Sequence, residues 1–600
     1  MILLEKHGIS SLRRRGFHRA WLLPAVGVMF GFGATGHRPS IPANDFASPL
    51  GIDMVLAGNF AEMRSNHFHA GLDLKTDGRE GLPVYAAADG WISRIKVSPV
   101  GYGNALYVAH SNGYTTVYAH LKSFSTPVDE YIHELQYARR RFDVDIYPQE
   151  GQFPVSAGDT IALSGNSGGS YAPHLHFEIR ETAGQTPVNP LLFNLDIQDS
   201  LPPRIFRVKL YPDGPSSHVR LRRELHTAAP ESASKEPVVV EVEKTSAGTY
   251  RLDGIPTVFA AGTVVLGIQA HDYHEGSSNR LGAYRITLEV DGSAVHRTTM
   301  DRVRFDQTRY INAHIDYEEY QQHRRWIQRS HALPGNRLPL YDTVQGGRIS
   351  VAPGDVLKVR YVVQDAIGNT SVLEFDLHGE DAEPGTPTPE LWDVVIPRDD
   401  AFTFTESDIR VRFAPNTFYD DQPFRYVRGP APVGALSAEH RLHEDVAPLH
   451  NSMTVSIRAD GLPADLREHA LLGSTDDDGN VVSAGGSYDR GWVVARTRSF
   501  GRYFIVVDTT APVIELLGVS ADGRPSNPSA ISLKVADDLS GLARYEGYLD
   551  GKWVLLEYDA KNDLLTYRPR VAPAPGLHKL GVIAVDDYGN ESRRVFTLAY

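Results

Sequence analysis

The 600-residue chain contains no cysteine. That excludes a disulfide framework and any thiolate metal site, so a metal ion held here must be bound by His, Asp or Glu. The chain also lacks a basic surplus: Asp and Glu number 74 against 60 Lys and Arg, for a formal net charge of −14. Five of the basic groups (Lys6, Arg13, Arg14, Arg15 and Arg19) sit in the first 36 residues against Glu5 alone, so the remainder is more acidic still. Nucleic acid is therefore not an expected partner. Long apolar runs are missing too. The run from Trp21 to Phe32 is too short to span a bilayer, no cysteine follows it to accept a lipid, and no other segment is apolar enough to cross a membrane.

What is present at the start reads as an export signal over residues 1–36: a basic stretch to Arg19, the apolar run, then the small residues Ala34, Thr35 and Gly36 where cleavage can fall. Arg14–Phe17 (RRGF) is a weak match to a twin-arginine signal. The expected location is the periplasm or the cell surface, and an uncleaved leader would act as a membrane anchor. The whole chain is 42% hydrophobic and 22% charged, which is a folding composition, and its 600 residues suit roughly four domains of about 150 residues.

The expected fold class is mainly β: an antiparallel-sheet domain followed by several β-sandwich, Ig-like domains. Residues 37–50 read as a linker. Residues 51–200 alternate apolar and polar positions in short runs broken by Gly, Asn and Asp. Ala105–His110 and Tyr114–Leu121 read as a hairpin whose turn uses Asn112 and Gly113. Within 126–150, Ile132, Leu135 and Phe142 recur near helical spacing, which predicts an inserted helix that either walls a groove or packs as a surface hairpin on its own domain, the second being favoured. Residues 201–380 read as a β-sandwich domain, 381–510 as β-rich and 511–600 as an Ig-like sandwich. The Pro- and Thr-rich stretch Glu383–Glu390 marks a boundary. A loose repeat links Gln364–Ser371 (QDAIGNTS) to Val585–Ser592 (VDDYGNES), each between two apolar strands. The pairs Asp537/Asp538 and Asp586/Asp587 offer oxygen ligands of the calcium type, but without a full ligand spacing they are read as solvated turn carboxylates.

With 24 histidines, lone ones such as His18 and His440 are read as solvent exposed, and context must select the rest. In Ala172–Arg180 (APHLHFEIR), His174, His176 and Glu178 share one strand face while Leu175, Phe177 and Ile179 share the other. In Asn66–Lys75 (NHFHAGLDLK), His69 and Asp73 flank Gly71, whose missing side chain permits close backbone approach. With His176 these give two imidazoles and a carboxylate, a set that leaves coordination open for water as a catalytic zinc site requires. Strand alternation puts Thr116, Tyr118 and His120 on one inward face. Glu178 reads either as a partner behind a ligand or as an exposed strand carboxylate.

Residues 51–193 resemble the LytM and lysostaphin type of peptidoglycan endopeptidase, through FHAGLDLK, GLPVYAAADGWI, GYGNALYVAHSNGYTTVYAHL, AGDTIALSGNSG, APHLHFEIR and PVNPLLF, in the family's order. The resemblance implies one zinc ion held by His69, Asp73 and His176, with His120 and His174 as the catalytic pair and His67 as a bystander. It further implies hydrolysis of peptidoglycan stem-peptide crosslinks by metal-activated water. No wall-anchoring or wall-binding repeat is recognised in the chain, so a Gram-negative periplasm and a D-alanyl to diamino acid crosslink are expected, with glycine bridges as the alternative bond and an envelope protein as a candidate partner of the sandwich domains. Tyr171 and Ala172, where the family often has glycine, and the long stretch after Lys122 depart from the pattern and bear on substrate preference. Two other readings are a catalytically silent relative that regulates a wall amidase, and a surface scaffold; the complete set of five site residues favours the enzyme.

Overall fold

A computed structural model describes residues 46–193, 195–222, 234–254, 257–382, 392–476 and 478–600. The leader, most of the 37–50 linker, His18 and Glu383–Glu390 lie outside them. The architecture is mainly β, with several β domains after the first. Among the described residues no helix is long and apolar enough to cross a membrane.

The first sheet sets the site. Its strands lie side by side in the order Leu56–Gly58, Leu72–Lys75, His174–Glu181, Tyr114–Leu121, Asn104–Ala109, Gly90–Val97 and Val144–Ile146, every pair antiparallel. The register places His176 opposite Asp73 on one side and Ala119 on the other, and Phe177 between Leu72 and Tyr118. Because facing residues share a face, the apolar positions on the core side of one strand meet those of its neighbours. Leu72, Leu74, Leu106, Val108, Tyr118, Leu175, Phe177 and Ile179 thus close one core with Ile92, Ile95 and Ile161, each such side chain contributing about 1.5–3 kcal/mol on burial. The opposite face is left for Asp73, His174, His176, Glu178 and Arg180. In the hairpin, Gly113 takes the positive φ, at 85°, and Asn112 instead accepts the Tyr114 N–H through its side chain.

The inserted helix runs Thr126–Arg139, ends on a left-handed Arg140, and buries Val128 and Ile132 in the same core. Its outer side meets the last domain: Asp129 pairs with Arg570, and Tyr137 packs edge-on to Trp553 at 5.2 Å. The helix therefore packs on its own domain and also lines a cleft of about 680 Å³ with Glu557, Arg568 and Arg570 opposite.

Downstream, a twelve-stranded sheet system encloses Val208, Leu266, Ile268, Val359, Tyr361 and Leu373. Two five-stranded sheets then share one core around Val411, Val455, Phe424 and Ile505, and two four-stranded sheets share another around Leu533, Leu565, Val582 and Leu598. The repeated Gly-Asn segments form equivalent turns, joining Val356–Gln364 to Thr370–Gly379 and Leu577–Asp586 to Glu591–Ala599.

Candidate metal centre

His69, Asp73 and His176 each bring a ligand atom within 4.8 Å of the others, and all three are buried. Asp73 Oδ1 is the hub: it lies 2.8 Å from His176 Nδ1, 3.1 Å from His69 Nε2 and 3.3 Å from His174 Nε2. The far nitrogens are spoken for, His69 Nδ1 by the Asn59 carbonyl at 2.8 Å and His176 Nε2 by Glu178 Oε1 at 2.8 Å. The remaining ring nitrogens, His69 Nε2 and His176 Nδ1, face each other at 3.0 Å. Two imidazoles and one carboxylate converging with their outer atoms fixed form a donor set suited to zinc.

Charge in the cluster follows from burial and neighbours. Burial, partly offset by Asp73, pushes His69 down to about 4. Burial also opposes a charge on His176, but the hydrogen bonds and charges of Asp73 and Glu178 outweigh it and raise that ring to about 9. Burial opposes the Asp73 carboxylate in turn, yet His69 and the hydrogen bonds from the three rings hold it well below its usual range. A cation bound at this point would compete with a proton on His176.

His120 and His174 flank this set, their ring centroids 4.8 Å apart and that of His120 5.8 Å from His176. His174 Nδ1 lies 2.8 Å from the Ala172 carbonyl, and His120 Nδ1 lies 2.9 Å from that of Ser167. Burial, reinforced by His176 and His174, pushes His120 down to about 3, so it is a neutral ring.

The route by which His120 arrives corrects the alternation argument. Thr116 and Tyr118 do share a face, but it is the core face: Tyr118 bonds the Ala87 N–H and Thr116 bonds His110. Strict alternation would send His120 the same way. Instead the register slips between Asn104 and Leu106, His120 takes a left-handed φ of 58°, and its ring swings onto the metal face. The glycine-rich loop after Leu163 makes room: a Cβ on Gly165 would stand 2.8 Å from the His120 carbonyl oxygen and 2.4 Å from the Lys122 nitrogen.

Glu178 is not an exposed strand carboxylate. It is fully buried, accepting from Tyr102 Oη at 2.5 Å and Arg180 Nε at 2.5 Å besides holding His176. Burial opposes its charge, but Arg180 and His176 prevail and hold it at about 2. His67 is exposed, bonded to the Ser65 carbonyl. His440, read as solvent exposed, is instead buried against Tyr426 at 2.9 Å.

Three contacts were not read from sequence. Arg64 donates to Asp73 Oδ2, Glu62 stands beside both with burial raising it to about 7, and Asn59 holds His69. The one available signal was the alternation of Glu62 and Arg64 just ahead of the histidine motif.

Residues 67–137 match peptidase family M23, and residues 394–508 match the Zu5-like domain. Over 123 residues, 20% of this chain and 22% of the relative, the sequence is 37% identical to the DD-carboxypeptidase/endopeptidase Mpg of Neisseria meningitidis. It is 32% identical over 122 residues, again 20% of this chain and 22% of the relative, to the peptidoglycan DD-endopeptidase ShyA of Vibrio cholerae. The chain thus spans under a quarter of the length of these curated relatives. Among solved structures, the catalytic domain of the antimicrobial peptidase lysostaphin from Staphylococcus simulans aligns at 24% identity, covering 22% of this chain and 86% of that one, with a TM-score of 0.17.

Proposed function

We propose, from the premise that this chain carries a peptidase M23 domain of the LytM type followed by β domains, that it is an exported zinc endopeptidase cutting peptide crosslinks of peptidoglycan. The reading rests on one observation: two imidazoles and a carboxylate gathered around a common point, with a second pair of imidazoles 4.8 Å apart beside it. We assign His69, Asp73 and His176 as the ligands of a single zinc ion and His120 and His174 as the catalytic pair.

When bound, the ion lowers the pKa of water toward about 7 and polarises a scissile carbonyl. The chain supplies the rest. Asn59 and Glu178 fix the ligand rings so that the correct nitrogens point inward. With Nδ1 of each turned to a backbone carbonyl, His120 and His174 present Nε2 to the reacting centre. There they orient the attacking water, hydrogen bond to the developing oxyanion, and one passes a proton to the leaving amine. The neutral state of His120 suits it to accept a hydrogen bond from that water before it donates one. A D-alanyl to diamino acid crosslink in a Gram-negative periplasm is the proposed substrate, and the sandwich domains are proposed to meet envelope partners.

The test is mass analysis of muropeptides released from defined sacculi. Zinc-loaded wild type is expected to release crosslink-cleaved products. His174→Ala is expected to keep its zinc and lose turnover by at least 100-fold, roughly the size of a lost acid–base group, and His69→Ala to lose both. Full turnover by His174→Ala sinks the assignment.

A further inference from the structure

Among the described residues outside the metal centre, one arrangement of aspartates occurs twice. Asp199, Asp272 and Asp365 bring carboxylate oxygens within 4.8 Å of one another, and so do Asp508, Asp537 and Asp586. The members correspond one to one. The first of each set lies in the segment leading into a β domain, ahead of proline and the opening strand: Asp199 before Pro203 and Arg204–Pro212, Asp508 before Pro512 and Val513–Leu517. The second directly follows a strand, Asp272 after Thr257–His271 and Asp537 after Ile531–Ala536. The third opens the repeated Gly-Asn turn.

Hydrogen bonding repeats as well. Asp199 and Asp508 each accept the N–H two residues on, at 3.1 and 3.2 Å. Asp365 accepts from the N–H groups of Ile367 and Asn369, Asp586 from those of Tyr588 and Asn590. The side chains of Asn369 and Asn590 then reach back to the carbonyls of Asp199 and Asp508, at 3.2 and 3.0 Å. Each turn is thereby tied to the segment that enters its domain.

The second aspartate is what calls for a ligand. Asp272 is 5% exposed, lies against the charges of Asp365 and Asp199, and its Oδ1 is buried with no hydrogen-bond partner. Oδ1 of Asp537 is also shut from water and unpartnered, on a half-buried side chain whose Oδ2 accepts the N–H groups of Leu539, Ser540 and Gly541. A carboxylate oxygen shut from water beside two more carboxylates is unfavourable unless a cation sits among them. Burial and those neighbours push Asp272 up to about 8, which expresses that cost. The pairs seen in sequence divide accordingly: Asp537 and Asp586 turn inward, while Asp538 and Asp587 are exposed.

We propose that each trio binds one calcium ion, giving two sites that fasten the junctions entering two β domains. An all-oxygen donor set with three carboxylates suits calcium, which accepts six to eight oxygens in flexible geometry, better than zinc, which prefers nitrogen or sulfur. One ligand comes from the junction and two from the domain body, so the ion fixes the direction in which the chain enters the domain.

The test uses the full chain, stripped with chelator, reloaded at the peptidase site with zinc, and titrated calorimetrically with calcium chloride. Two calcium ions per chain are expected, one in Asp272→Asn, one in Asp537→Asn and none in the double variant. In chelator the variants are expected to unfold no earlier than wild type, because a carboxyl group crowded by two others is gone, and calcium is expected to raise the melting temperature of wild type most, of each single variant less and of the double variant not at all. Hydrogen exchange of wild type offers a reading that needs no variant, with calcium slowing exchange at 199–203 and 508–512. Failure of wild type to take up calcium at millimolar concentration, or undiminished uptake by the double variant, overturns the proposal.

Discussion

Glu178 can be isolated by Glu178→Gln. The residue is fully buried between His176, Arg180 and Tyr102. Its charge raises the basicity of His176 and fixes which ring nitrogen faces the ion, and loss of such a partner weakens metal binding by about 10- to 100-fold. That is roughly 1.4–2.7 kcal/mol at 25 °C. Glutamine keeps the shape, but its amide N–H group faces either a ring nitrogen or a guanidinium, and Arg180 loses its buried counter-charge. Removing one member of a buried pair costs about 3–5 kcal/mol; here the stacking of Arg180 on Tyr107 at 5.3 Å and Phe305 at 4.7 Å remains, so the stability loss is expected below that range. Competition with a chromophoric chelator reads zinc affinity, and thermal unfolding in excess zinc reads stability. Zinc affinity within twofold of wild type, combined with a clear fall in stability, would refute the reasoning and reduce Glu178 to a counter-ion for Arg180.

Acid is expected to loosen the second domain first. Burial pushes His296, His314 and His331 down to about 3, 4 and 3; the folded form binds fewer protons than the unfolded one, so stability is complete above about 6.5 and falls as pH drops toward 4. At pH 5 the loss for His314 alone is about 2 kcal/mol, and faster hydrogen exchange over 257–377 at pH 5 than at pH 7.5, after correction for intrinsic rates, checks it; unchanged protection would contradict it. Gly71→Ala would place a methyl group 2.3 Å from the Phe177 carbonyl oxygen, wedging the Asp73 strand from the His176 strand. Overpacking of this kind costs about 1–3 kcal/mol, and a variant that retains full zinc content and stability would show that the strands do not need this closeness.

The parts of the site that were legible in sequence were those governed by strand period. His174, His176 and Glu178 lie at alternate positions of one strand, with His176 opposite Asp73, so a face could be read from spacing. His120 obeyed a different rule, since a bulge is a departure from period and depends on which glycine loop crosses it. Its role came from resemblance, while alternation taken alone pointed it into the core. The helix was visible as period, but its packing against Trp553 and Arg570 was not, because an exposed tyrosine and aspartate carry no mark of a partner more than 400 residues away. The aspartate trios were half visible: the Gly-Asn repeat was read, yet three ligands drawn from three distant segments have no short spacing to find.

The same distinction explains why the metal centre is not the property of residues 51–200 alone. His69 is oriented by the Asn59 carbonyl, and Asn59 exchanges two hydrogen bonds with the Gly282 backbone, both 2.8 Å long. Around this contact Phe60, Met63 and Phe68 are buried with Ile311, Ile315 and Leu338, so the stretch leading to the first ligand is packed into the following domain. Cut free, that stretch would expose three large apolar side chains and lose the frame holding its carbonyl toward the ring. Packing forces of the second domain thus reach the His69 ring, at its outer nitrogen Nδ1, through two hydrogen-bonded steps, Gly282 to Asn59 and Asn59 to His69. On the other flank, Lys561 of the last domain donates to the Asn166 carbonyl, next to the Ser167 whose own carbonyl holds His120. His69, a proposed ligand, and His120, of the flanking pair, are therefore each braced by a different downstream domain, and the shape of the cleft depends on where those domains sit.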